Sequence, residues 1–333
     1  MKPRIISYAA ISTQQPLDGS FFNDPKPCLE PYCRAVEADY RNFIPMPVSR
    51  RMGAVLKRAV ATTVTALERA GVKDPEAIVF GTGLGCIENT EKFLTAMVDN
   101  GESCLQPTHF INSTHNTIAS QVATFLKCHG YNSTYAHLGI SFESALMDVL
   151  MQFELGGIRS AVAGAHDEMT PTYHKLFDKV AYWLAPMGEC AVSFVLSDEG
   201  DGCTLADVDL AYGASPLEAA GRAAGFLRRN GVGIGDIGCV ITGRNGDVRF
   251  DGSYDLFLDG LFDERPAEVN YKHVFGESFC AGAYGMMLGV ESMRSGHVPS
   301  MYLRGERHPS GLDNILLINS FKDLDWSLIL LRK

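Results

Sequence analysis

The sequence predicts an α/β fold built from two related halves. Three observations carry this. Short β-branched and apolar runs alternate with amphipathic helical stripes along the chain. A βα-rich first half is echoed by a βα-rich second half. Between them lies the acidic, glycine-rich stretch SDEGDG at 197–202, which places the boundary near residue 200 and divides the chain into 1–200 and 201–333, two halves of one compact unit.

Taken in order, residues 5–11 read as a first core strand, followed by a loop rich in Pro, Asn and aromatics to about residue 47. A helix is expected over 51–70, closed by Gly71. Residues 77–82 form a buried strand, and Gly81, Gly83 and Gly85 lead into a helix over 88–98. An amphipathic helix over 116–126 closes before Gly130. Strands follow at 133–137, 160–165 and 190–196, with a helix from Ser141 between the first two. In the second half, 203–212 is a strand, 216–230 an alanine-rich helix, 239–242 a short buried strand and 278–295 a helix. Residues 315–319 and 326–331 close the chain as a hairpin.

The chain has 333 residues, enough for a large core, and its 46% apolar and 20% charged content is that of a soluble globular protein. A net charge of −10, with no basic cluster denser than Val48-Ser49-Arg50-Arg51, argues against a nucleic-acid surface. No apolar run is long enough to span a bilayer. The start, MKPRIISYAAIST, reads as a core strand rather than a signal peptide. Nine scattered cysteines, most inside apolar segments, are expected to be reduced and buried, as in a cytoplasmic protein. Cys28 and Cys33 have half of a metal-site spacing but no matching second pair, so no metal and no cofactor is expected.

The stretch YNSTYAHLGISFESALMD, residues 131–148, is the most informative. A strand runs into a helix there, and such a turn aims backbone N–H groups and the positive end of a helix dipole at whatever side chain stands in it. The turn residue is Gly139, which has none. Ser141 reads as the N-cap of the helix, a role that explains it without any nucleophilic chemistry.

Six landmarks, in order, resemble the β-ketoacyl synthase branch of the thiolase-like superfamily. Asn116-Thr117-Ile118-Ala119 is similar to that family's Asn-x-x-Ala helix start. The bend with Ala145 downstream is similar to its Cys-Ala-Ser/Gly turn, with Gly139 at the cysteine. Ala163-Gly164-Ala165-His166-Asp167-Glu168 and Gly188-Glu189-Cys190-Ala191 resemble two of its strand motifs. Lys272-His273-Val274-Phe275-Gly276-Glu277 resembles Lys-x-x-x-Gly-His, and Asn319-Ser320-Phe321-Lys322-Asp323-Leu324-Asp325 resembles its glycine-rich closing hairpin. The resemblance covers almost the whole chain. It implies a thiolase-like, five-layer αβαβα fold.

The departures from the pattern carry the functional expectation. Active synthases of the family join a cysteine to two histidines and a lysine. Here those positions read Gly139, Gly243 and Glu277, with Lys272 alone retained. Losing a nucleophile and its stabilising donors together leaves no route to condensation, since one oxyanion donor is worth roughly 3–4 kcal/mol. The resemblance then implies a chain-length-factor-like homologue that is not catalytic alone, paired with an active ketosynthase or with itself and served by acyl carrier protein. It also implies an interface at residues 133–137 (Ser133, Thr134, Tyr135, His137) and Asn116.

Other constellations have plainer readings. His115 could be a new acid or base, but a polar helix start bonding its own backbone explains it. His166, Asp167 and Glu168 are adjacent and point in different directions, which disfavours a shared metal. Lys272, with Glu277 and His273, is expected to form a buried ion pair. Cys280 could be a low-pKa thiol at a helix start, yet the small residues after it suit close packing in the core. The Gly81-Thr82-Gly83-Leu84-Gly85 loop has part of a phosphate-cradle pattern, without the sixth-position glycine. A diverged acyltransferase, thioesterase or decarboxylase would have to use Lys272, Glu277, His115 or Cys280, and a third alternative is an acyl-binding or scaffold homodimer.

Overall fold

Two half-sheets with the same strand order form the frame. The first contains β1 (Arg4–Ile11), β2 (Ala77–Gly81), β3 (Tyr131–Tyr135), β4 (Ser160–Asp167) and β5 (Cys190–Ser197). The second contains β6 (Cys203–Tyr212), β7 (Cys239–Thr242), β8 (Ala267–Asn270), β9 (Asn314–Phe321) and β10 (Asp325–Arg332). The first runs β3-β2-β4-β5-β1 and the second β8-β7-β9-β10-β6, so adding five to each label converts one into the other. The orientations match as well. β2 is parallel to β3 and β4, as β7 is to β8 and β9, while β5 and β10 are antiparallel to both their neighbours. The half-sheets touch where Arg4 and Ile5 of β1 meet Thr204 and Cys203 of β6. The computed structural model describes residues 2–101, 103 and 105–333.

Helices complete five layers. α1 (Ala54–Ala70) and α3 (Thr117–Leu126) cover the outer face of the first half-sheet, and α2 (Ile87–Asn100) lies beyond β2. α4 (Ser141–Glu154) and α8 (Gly282–Ser295) fill the layer between the half-sheets. α6 (Pro216–Arg229) and α7 (Asp251–Leu261) cover the outer face of the second, and α5 (Pro171–Lys179) follows β4. The central position of α8 explains its composition. Gly282 through Met293 are all buried, and a Cβ on Gly282 would lie 2.3 Å from the Glu143 carboxylate of α4. β2 and β5 read as near-continuous apolar runs because both of their faces are covered.

Several boundaries differ from the sequence reading. The strand expected at 133–137 lies at Tyr131–Tyr135, because β2 offers five partners, ending Gly81↔Tyr135; Ala136 and His137 therefore leave the ladder. The helix expected from residue 51 starts at Ala54 after a separate turn of helix, Met46–Ser49, and the one expected from 278 starts at Gly282. Ser141 is not an N-cap. It is the first residue of α4, and its hydroxyl accepts the His137 N–H (2.8 Å) and donates to the Leu138 carbonyl (2.7 Å), which ties the bend to itself.

The expectation that every cysteine is reduced also fails. Cys28 and Cys33 form a disulfide, their Cα atoms brought to 6.0 Å by the LEPY turn between them. Cys86, Cys128, Cys190, Cys203, Cys239 and Cys280 are free thiols. Cys104 lies outside the described residues. Among those residues, no group of His, Cys, Asp or Glu is arranged to hold a metal, and no helix is long and apolar enough to cross a membrane.

Candidate functional site

Four connections converge on one point at the meeting of the halves. They are the bend between β3 and α4, the loop between β7 and α7, the turn between β8 and α8, and the β9–β10 hairpin. Together they line a cavity of about 20 Å³, room for a single water. Gly139, Gly243, Lys272 and Glu277 all face it, joined by Asn245, Tyr254, Asn319, Phe321 and others. Neither a cysteine nor a histidine is among the lining residues.

Side chains from elsewhere fill the space over both glycines. A Cβ on Gly139 would stand 2.3 Å from Cδ2 of Phe321, so the Phe321 ring occupies the position a side chain on the bend would take. A Cβ on Gly243 would stand 2.2 Å from Oδ1 of Asn319 and 2.7 Å from the Tyr254 hydroxyl. Leu138, just before Gly139, has φ of 50°, so the bend keeps a left-handed non-glycine residue. Phe321 is held from outside by an aromatic cluster, with Phe279 at 5.9 Å and Trp183 at 4.9 Å from Phe279. Lys322 covers the Tyr182 ring of the same cluster at 3.2 Å.

Lys272 and Glu277 are satisfied by each other and by neighbouring side chains of the cavity. Lys272 Nζ pairs with Glu277 Oε2 at 2.8 Å and donates to Asn319 Oδ1 at 3.3 Å. The Glu277 carboxylate also accepts from Asn245 Nδ2 (2.6 Å) and the Ser278 N–H (3.0 Å). The Asn319 amide in turn donates to the Gly139 carbonyl and to Glu143 Oε1, at 3.2 and 3.3 Å. Burial pushes the Glu143 carboxyl up, favouring its neutral form. Such an arrangement fixes side chains; it presents no activated nucleophile.

The remaining candidates lie elsewhere. His115 is exposed and packs beside Gly85 rather than in the cavity. Cys280 is buried with its sulfur on the Gly81 carbonyl at 3.4 Å, and burial pushes its thiol well above the ordinary value, opposite to what a nucleophile needs. His273 turns away to the Met301 carbonyl (3.0 Å). His166, Asp167 and Glu168 do point apart. His166 sits edge-on against Phe80; Asp167 accepts from Thr82 Oγ1 and from the N–H groups of Gly83 and Leu84; Glu168 accepts from the N–H groups of Val55 and Glu88. The partial phosphate cradle is thus occupied by the chain's own carboxylate.

Sequence reasoning missed Tyr254, because α7 was not recognised, and the filling role of Asn319 and Phe321. It also missed Glu143, although a carboxylate three and seven residues before Leu146 and Leu150, on their apolar helix face, is a readable anomaly.

The edge of the first half-sheet is open. Among the described residues β3 pairs only with β2, and its residues are exposed or half-buried. Ser133, Thr134 and Tyr135 lie on that strand; His137 and Asn116 are exposed beside it, His137 bonding Ser144 at 2.9 Å. On the same half, α2 and the short helix Pro107–Ile111 pack Phe93 against Phe110 at 5.4 Å and leave Val98, Phe110 and Ile111 exposed at 83%, 58% and 63%.

A sequence model of the family described as beta-ketoacyl synthase, N-terminal domain, matches residues 28–224, more than half of the chain. No curated protein matches the sequence. Solved structures share the fold over essentially the whole chain at low identity. The ishigamide ketosynthase/chain length factor has a TM-score of 0.81 at 14% identity, covering 100% of this chain and 99% of that one. A β-ketoacyl synthase from Burkholderia phymatum STM815 has 0.83 at 16%, covering 100% and 99%. The ketosynthase ApeO in complex with its chain length factor ApeC, from Xenorhabdus doucetiae, has 0.78 at 16%, covering 99% and 98%.

Proposed function

Because the chain belongs to the β-ketoacyl synthase family, we propose that it is a non-catalytic member, similar to a chain-length factor, that pairs with an active ketosynthase in polyketide, polyene or fatty acid biosynthesis. The observation that carries this is the Phe321 ring standing where a side chain on the bend would stand. A site that had merely lost its cysteine would keep the vacated space. Here the space is filled, and the lysine is paired with the Glu277 carboxylate rather than set beside a histidine. Two of the structures with the same fold are described as a ketosynthase with its chain length factor, and another as a ketosynthase with its acyl-carrier protein, which supports the same pairing and the same carrier here.

The open edge of β3, with Asn116 and His137 beside it, is the surface we assign to the partner. Unpaired backbone groups on an edge strand are a template for another strand. The same edge serves a homodimer, and sedimentation of the chain alone and with a co-expressed ketosynthase separates the two cases.

The test is a condensation assay with malonyl-loaded acyl carrier protein, run on the chain alone and on the co-purified pair. The chain alone is expected to give no product and the pair to give product. Turnover by the isolated chain at the rate of an active synthase would refute the proposal. A diverged thioester enzyme would show hydrolysis that Cys280→Ala or Lys272→Ala abolishes; the buried, carbonyl-bonded thiol and the paired lysine give that reading no support.

A further inference from the structure

We propose that Cys28 and Cys33 are a reversible thiol–disulfide site whose state sets how firmly the Lys272–Glu277 segment is held. This goes beyond the pairing function and does not depend on it. The argument is the placement of the loop. Its first foot stands on the lysine side, where the Cys28 N–H donates to the His273 carbonyl at 2.8 Å. Its second foot stands on the glutamate side. Tyr32 and Cys33 pair in parallel with Met187 and Gly188, and the Met187 N–H donates to the Pro31 carbonyl at 2.9 Å. Met187 is itself bridged to Glu277, with the Gly188 N–H on the Glu277 carbonyl (2.9 Å) and the Glu277 N–H on the Pro186 carbonyl (2.8 Å). The disulfide therefore joins the two feet of a strap laid across the segment that carries the buried ion pair.

The loop is built for exchange. Leu29, Glu30 and Pro31 between the cysteines are exposed, Cys33 is half-buried, and Cys28 is buried. A dithiol reductant reaches Cys33 Sγ first and forms a mixed disulfide with it, while Cys28 leaves as a thiolate and takes up a proton. The second thiol of the reductant then attacks its own sulfur in the mixed disulfide and frees Cys33. The chain gains two electrons and two protons, and the reductant leaves as its cyclic disulfide. With the link broken, each foot keeps its hydrogen bonds but loses the covalent tie to the other. The second foot is still held by the Tyr32 hydroxyl on the Met169 carbonyl, and the strap opens locally more often.

The experiment uses the wild-type chain equilibrated in oxidised and reduced dithiothreitol buffers. Non-reducing peptide mapping is expected to find the Cys28–Cys33 link in the first and two alkylated thiols in the second. Hydrogen exchange at the amides of Cys28, Met187, Gly188 and Glu277 is expected to speed up at least about tenfold on reduction, while β7 stays unchanged. Cys28→Ser/Cys33→Ser should show the fast exchange in both buffers. Absence of the linked peptide overturns the proposal, and so does a link whose reduction leaves exchange at Glu277 unaltered. Because reduction of the wild type is reversible, a double variant that fails to fold still leaves these outcomes decisive.

Discussion

The two halves repeat one strand order but finish it differently at equivalent positions. β3 and β8 are each the outermost long strand of their half-sheet. β8 is buried over Ala267, Glu268 and Val269, and a two-residue strand, Leu303–Arg304, pairs along its outer side, with Arg304 close to Glu268. Among the described residues, no strand pairs along the outer side of β3. The ends of β4 and β9 diverge too. β4 ends in His166 and Asp167, followed by Glu168, which contact Phe80, Thr82 and the first turns of α1 and α2 in their own half, whereas β9 ends in Asn319 and Phe321, which cross to the Gly139 bend of the other. One half is thus closed at its rim and supplies the filling of the central cavity; the other is open at its rim and receives it.

The largest expected effect breaks the filled cavity at its charge pair. Lys272→Met leaves Glu277 buried with Asn245 and the Ser278 N–H but without its cation, which should cost about 3–5 kcal/mol. Urea denaturation measures it, and a loss within error of zero would mean the pair is not buried as described. Gly139→Cys comes next. The new Cβ meets the Phe321 ring, so the single change should destabilise by roughly 1–3 kcal/mol through overpacking. Adding Phe321→Ala should relieve that strain, giving a coupling of about 1 kcal/mol or more in a double-mutant cycle. Strict additivity would show that Phe321 does not fill the position.

The edge comparison is sharpened by choosing which backbone groups to remove. The Tyr131 N–H and the Tyr135 carbonyl both bond toward β2, so by strand alternation Asn132 and Thr134 present theirs to the open side. Thr134→Pro should therefore leave the isolated chain folded yet weaken its association at least about tenfold, which sedimentation equilibrium reads. Ser133→Pro removes a bond inside the sheet and should lower stability by about 1–3 kcal/mol. Equal effects of the two on assembly and on stability would reject the assignment of the edge.

Much of this was legible in the sequence, and the failures have physical causes. The buried runs of β2 and β5 and the long stripes of α1 and α4 were readable because one environment covers each element along its length. The residues named at the bend, at 243, at 272 and at 277 do meet at one cavity, because the four connections that carry them all lie at the same end of the layers. What could not be read was occupancy. Nothing in the local pattern around Phe321 says that its ring turns toward residue 139, some 180 positions away. α7 went unrecognised because its glycines and aspartates, in DGSYDLFLDGL, dilute a helical stripe that only packing on α6 completes. The disulfide was missed because exposure and separation of two cysteines are not encoded in their spacing.

The remaining comparison concerns the strand ends, and it is visible only as a pH-dependent difference between variants. Burial pushes the Glu168 carboxyl up to about 7 from 4.5 and the His166 imidazole down to about 3 from 6.5. Between those two carboxyl values the folded chain keeps a Glu168 proton that the unfolded chain has released, so this group makes stability fall as pH rises. Between the two imidazole values the unfolded chain holds a His166 proton that the folded chain lacks, so that group makes stability rise with pH. The slopes oppose each other from 4.5 to 6.5. Relative to wild type, Glu168→Gln, which keeps a carbonyl acceptor, should become progressively more stable as pH rises through that window and up to about 7. His166→Phe should do the reverse, gaining on the wild type as pH falls below 6.5. Phe321 at the matching end of β9 does not titrate, so Phe321→Ala should shift the urea midpoint by an amount that stays constant with pH. A pH-independent difference for both Glu168→Gln and His166→Phe would show that the β4 end is no more charged in its folding energetics than its counterpart.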